Sequence, residues 1–198
     1  MKKQRLNLLF NPFARIAGYS ALGWGFLGIV LATLLSYSTG LHYHGLLHFG
    51  WAPNPAWWCF AVEHLVIWLI PAILFYLGGL LLSRSRIRIV DVLGTVAFAQ
   101  LPFIIMNLFY FIPSLRFMTQ LNPNALSIQE LLAQPEFIKG VWFSLFSLIF
   151  FVWVLIWMFH ALRVSCNLKG YRLGILYAIA IIGGDLICRV LINLCYNS

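Results

Sequence analysis

The stretch CFAVEHLVIWLIPAILFYLGGLLLSRSRIR, residues 59–88, decides the fold. Residues 59–82 are apolar apart from Glu63 and His64, and at about 1.5 Å per residue such a helix outspans the roughly 30 Å hydrocarbon core of a bilayer. The run stops at a cluster of three cations, Arg84, Arg86 and Arg88. Four more segments of the same kind lie on either side of it, over about 16–38, 92–112, 140–162 and 173–196. The expected fold is therefore an all-α polytopic membrane helix bundle with five transmembrane helices. Residues 1–198 form one membrane domain, because no gap reaches the roughly 50 residues that a separate domain needs.

The charges sort by gap. Lys2, Lys3, Arg5 and Arg15 precede the first span, and Arg163, Lys169 and Arg172 fill the fourth gap as Arg84, Arg86 and Arg88 fill the second. The first gap has no Lys or Arg, the third has only Arg116 and Lys139, and Arg189 falls inside the last span. Basic residues flanking spans are retained in the cytoplasm. The expected orientation is amino terminus inside and carboxyl terminus outside, in the cell (cytoplasmic) membrane.

Composition agrees. The chain is 62% hydrophobic and 9% charged, against about 25% charged in soluble domains. The net charge of +8 sits beside spans instead of forming one stripe, which points to lipid headgroups and away from nucleic acid. The four cysteines, Cys59, Cys166, Cys188 and Cys195, have no zinc or redox spacing and read as small apolar fillers.

Local features refine the spans. Residues 8–15 read as an interfacial lead-in broken at Asn11-Pro12. In the first span Ala17, Ala21 and Gly25 recur every four residues, and Gly28 and Ala32 continue a small-residue face on which another helix can pack closely. Pro71 frees a carbonyl that a neighbouring helix must satisfy, and Pro102 predicts a kink in the third span. Asp91 suits the N-cap of that span. The third gap is expected to hold one short interfacial helix.

Polar groups inside the spans are the candidate functional residues. Asp185 lies near the middle of the fifth span, where a lone carboxylate costs about 2.5 kcal/mol or more. Arg189, four residues on, shares its helix face in the favoured acid-first order. Gln100 and Asn107, seven apart on the third span, are the expected neighbours of this pair. It serves either as a neutralised structural pair or as a relay. A second set, His42, His44, His48, Glu63 and His64, has the side-chain chemistry of a zinc site without its spacing. His44 and His48 share a face if their segment is helical, whereas Glu63 and His64 point about 100° apart. No cofactor is implied.

The segment Asp91-Val-Leu-Gly-Thr-Val-Ala-Phe-Ala-Gln-Leu-Pro102 resembles the small-residue helix running into proline of the YIP-domain family. Asn11-Pro12-Phe13 with Arg15 and Ile16, and the stretch from Trp153 to Asn167-Leu168-Lys169-Gly170, resemble the first and fourth spans' flanks in bacterial members. The resemblance covers about residues 11–193. It implies a five-pass membrane protein of a family named for binding Ypt/Rab GTPases in eukaryotes, here in a short bacterial form. It brings no catalytic residues. Nor does the sequence hold a glycine-flanked serine, a His-Glu-x-x-His motif or paired glutamates of an intramembrane hydrolase. The expected function is a non-enzymatic membrane scaffold or adaptor that packs against a membrane-protein partner or a second copy. The alternative is a small transporter or channel subunit using Asp185 and Arg189.

Overall fold

The computed structural model describes residues 9–52, 55–121 and 127–196. Lys2, Lys3, Arg5, the Pro53-Asn54 pair and Asn122-Pro123 lie outside the described residues. A 3-10 turn, Pro12–Ala14, leads into α1 (Gly18–Thr39), a two-stranded hairpin of β1 (His42–Tyr43) and β2 (Phe49–Gly50), and α2 (Cys59–Leu82). Then come α3 (Ile89–Ala99), α4 (Pro102–Phe109), α5 (Pro113–Gln120), α6 (Ile128–Leu132), α7 (Pro135–Ser165) and α8 (Gly170–Tyr196). Among the described residues five helical stretches are long and apolar enough to cross a membrane: α1, α2, α3 with α4 as Ile89–Phe109, α7 and α8.

The third span is the hub. Of its apolar 18-residue stretch 61% is buried, against 17% for that of α7, and it packs on α1, α2 and α7. Val92, Val96, Ala97, Phe103 and Met106 on it are fully enclosed. In lipid the apolar effect does not draw helices together, so close approach and interhelical hydrogen bonds must do so. Glycines supply the approach between α1 and α3. A β-carbon on Gly25 would stand 2.5 Å from the Phe98 amide nitrogen, and one on Gly94 would stand 2.7 Å from the Gly18 carbonyl oxygen. Of the small-residue face, Ala21, Gly25, Gly28 and Ala32 are buried, and Ala17 is exposed as the residue preceding α1.

Both prolines act as backbone chemistry requires. Pro71 lacks the N–H that would bond the Ile67 carbonyl, and the side-chain amide of Gln100 donates to that carbonyl at 2.8 Å instead. Pro102 divides the third span into two helices, with Gln100 and Leu101 at the break. Two expectations differ here. Asp91 sits inside the first turn of α3, and Arg88 precedes the helix as its cap. Among its described residues the third gap holds two short helices, α5 and α6, and Ser127 with Glu130 forms a capping box on α6.

The lead-in segment is tied to α7. The indole N–H groups of Trp153 and Trp157 donate to the Leu9 carbonyl at 3.0 and 2.7 Å. Phe13 is buried edge-on against Phe98 and Trp157.

Candidate functional site

The segment after α1 is a hairpin, not a helix, because Gly40 turns the chain in the left-handed region (φ 73°) and ends α1. His42 pairs with Gly50 and Tyr43 with Phe49, and the Gly45 amide closes the turn on the His48 carbonyl at 3.2 Å. His44 and His48 therefore do not share a helical face. Leu41, Tyr43 and Leu46 are at most 1% exposed, so the hairpin is driven into one end of the bundle as a cap. Gly45 allows this seating: a β-carbon there would lie 2.6 Å from Asp185 Oδ1.

Two buried carboxyl groups hold the cap. Glu63 on α2, fully enclosed, accepts from His42 Nδ1–H at 2.6 Å, from the Tyr43 amide at 2.8 Å and from the Tyr196 hydroxyl at 2.6 Å. It thereby joins α2, the hairpin and α8. Asp185 on α8 accepts from the Leu47 amide at 2.7 Å and stands 3.1 Å from His48 Nδ1. Arg189 is exposed, and no ion pair joins it to Asp185 among the described residues. The i,i+4 spacing is correct, yet a backbone amide delivered by the cap reaches the carboxylate first. Gln100 and Asn107 also lie elsewhere than beside Asp185. Gln100 serves Ile67, and Asn107 Nδ2 donates to the Tyr43 hydroxyl at 3.1 Å and to the Phe103 carbonyl at 2.9 Å.

The histidine–glutamate set separates into different tasks. His42 is on Glu63, His48 on Asp185, His44 Nε2–H on the Trp51 carbonyl at 2.8 Å, and His64 Nδ1–H on the Phe60 carbonyl at 2.9 Å. Among the described residues no group of three or more His, Cys, Asp or Glu is placed to hold a metal ion. Burial lowers the His44 pKa, and burial pushes the Tyr43 hydroxyl pKa far above its ordinary value. Both effects favour uncharged hydrogen-bonding groups under the cap. Three acceptors there and along the third span, His64 Nε2, Asn107 Oδ1 and Gln100 Oε1, are buried without a partner among the described residues. Tyr43, Tyr196 and the Leu47 amide are the members of this site that sequence reasoning missed. The aromatic residue at the end of the fifth span was the one available signal.

The opposite end is built differently. Its two loops, residues 83–88 and 166–169, are joined by Asn167 Nδ2–H donating to Ser85 Oγ at 2.8 Å. Asn167 takes the left-handed conformation (φ 49°), and Leu168 is buried beneath it. Cys166 is buried against the Phe75 carbonyl, and burial raises its thiol pKa.

A helical bundle with five candidate spans, a lipid-facing apolar surface and two enclosed acids, Glu63 and Asp185, defines a multi-pass integral membrane protein. The Yip1 domain matches residues 6–188, most of the chain, and the protein belongs to that family. Membership makes it a non-enzymatic membrane protein. Neither curated proteins nor solved structures yield a match.

Proposed function

We propose that the chain is a scaffold or adaptor of a bacterial cytoplasmic membrane, amino terminus inside and capped end outside, that works by packing against a membrane-protein partner or a second copy. One observation carries this reading. Among the described residues α7 is the longest helix and the least enclosed of the candidate spans, with 17% of its apolar 18-residue stretch buried, and it presents Trp142, Phe143, Phe146 and Ile149 outward. Large, stiff aromatic side chains give contact area at low entropic cost, which suits a partner-binding face. Asp185 is engaged in holding the cap and Arg189 is not paired with it among the described residues, which speaks against the alternative of a transporter subunit acting through the two together. The five candidate spans also carry few charged side chains, which speaks against an ion channel.

A photo-crosslinking residue placed at Trp142 or Phe146, in intact membranes, tests the proposal. A discrete adduct with another membrane protein or with the chain itself is the expected result. No adduct, together with substrate or ion flux in liposomes that Asp185→Asn abolishes, replaces it with the transporter.

A further inference from the structure

At the end of the bundle opposite the hairpin lies a cleft of about 530 Å³ between the two basic loops. Arg84 comes to it from one loop, Lys169 from the other and Arg172 from the first turn of α8, with Ser83, Ser85 and Tyr171 between them. None of the three cations is ion-paired with a carboxyl group among the described residues. Retention of positive charge on one membrane face explains why these loops are basic. It does not explain why loops some 80 residues apart are joined by the Asn167–Ser85 hydrogen bond into one recess. Arg86 and Arg88 serve retention equally well, and neither lines the cleft.

The floor is rigid. Leu168 is buried, Cys166 packs on Gly79, and a β-carbon on Gly79 would stand 2.7 Å from the Cys166 sulfur. The depth is also telling: Leu82 closes the second candidate span and Gly170 opens the fifth, so the cleft sits where lipid headgroups lie. Guanidinium groups match phosphate oxygens in forked, charge-assisted hydrogen bonds, and serine and tyrosine hydroxyls add neutral donors. The first turn of α8, which carries no acid, adds a modest positive end to the same recess.

We propose that this cleft is a binding site for the phosphate of an anionic phospholipid headgroup. The site orders one lipid against the bundle, beyond the diffuse attraction that any basic loop exerts. It stands independently of the scaffold reading.

The test uses the whole protein in nanodiscs of phosphatidylcholine containing phosphatidylglycerol, with retained lipid counted by native mass spectrometry. Arg84→Gln with Arg172→Gln is compared with Arg86→Gln plus Arg88→Gln. Both pairs remove two charges from the same end, so diffuse attraction, about fivefold per residue, falls equally. A built site makes the Arg84/Arg172 pair lose at least about tenfold more phosphatidylglycerol than the control pair. Equal losses overturn the proposal. Asn167→Ala leaves the charge unchanged and loosens the recess, so it must also lower retention; unchanged retention shows that no joined cleft is needed and likewise overturns it. A parallel arm follows the thermal midpoint of detergent-solubilised protein in inorganic phosphate. Stabilisation there that Arg84→Gln abolishes, with no preference for phosphatidylglycerol in nanodiscs, assigns the cleft to a soluble phosphate and removes the lipid from the proposal.

Discussion

The two ends of this bundle solve the same problem, polar groups at the edge of an apolar solvent, in opposite ways. At the hairpin end the charges that hold the cap are acidic, enclosed and saturated: Glu63 takes three donors and Asp185 two partners, drawn from elements far apart in the chain. At the other end they are basic, exposed and left open to what lies outside the protein. An enclosed acid stabilises only through its donors, so that end is a structural lock. An exposed cation contributes little to folding, so that end is available for recognition.

This contrast is broken most severely at Glu63. Glu63→Ala leaves His42, Tyr196 and the Tyr43 amide without an acceptor in a buried place, and a loss of roughly 3 kcal/mol is expected. Arg86→Gln, at the basic end, should leave stability unchanged. Unfolding in detergent followed by tryptophan fluorescence measures both, and similar midpoints for the two variants would erase the distinction.

The next effect lies between the ends, in the packing that fixes their separation. Gly25→Leu drives side-chain atoms into the backbone of Phe98 and should cost about 1–3 kcal/mol. At Gly23 a β-carbon would meet nothing within 4 Å, so leucine should be accepted there without loss. The same unfolding measurement decides, and a tolerated Gly25→Leu would mean that α1 and α3 do not approach as described.

Smaller again is the bond across the third span. Gln100→Leu strands the Ile67 carbonyl and should cost about 1 kcal/mol. Because Pro71 is the reason that carbonyl is free, Pro71→Ala should recover part of the loss. A double-mutant cycle with additive effects would show that the two residues are not coupled.

The smallest expected effect is a pH response confined to the cap. Burial lowers the His44 pKa, so the folded hairpin favours the neutral ring. The stability this gives is present above the ordinary histidine pKa of about 6.5 and declines as pH falls through it, because the unfolded chain binds the proton more readily. Hairpin amides should exchange with solvent faster at pH 5.5 than at 7.5, relative to amides of α3, and His44→Gln should flatten that dependence. Equal acceleration in both regions would place the sensitivity outside the hairpin.

Much of the helical frame was legible beforehand because its signals are local. A run of apolar residues as long as 59–82 has only one way to satisfy its backbone in lipid, and Pro71 and Pro102 announce where that backbone needs help. The small residues of the first span were readable as a close-packing face, but nothing in their spacing names α3 as the surface they meet. The cap was not legible. Its three histidines sit among glycines and prolines with no periodicity, and a helical reading put His44 and His48 on one face where a hairpin separates their partners. Asp185 shows the reason most directly: Arg189 is four residues away and Leu47 is 138 residues away, yet the carboxylate bonds to Leu47. Spacing along a helix reports only which groups are near, whereas the choice among them depends on whether a distant loop can bring a backbone donor at no side-chain entropy cost.

By itself, then, the sequence determined an all-helical membrane protein with five candidate spans, breaks at its prolines and cations sorted by gap, since each of these follows from hydropathy, backbone chemistry and neighbours within a few residues. Only the tertiary structure decided which polar groups are locked and which remain open. Pairing a buried acid requires donors from separate elements to converge within about 3 Å, and that convergence is a property of how the helices and the hairpin pack, which no local pattern encodes.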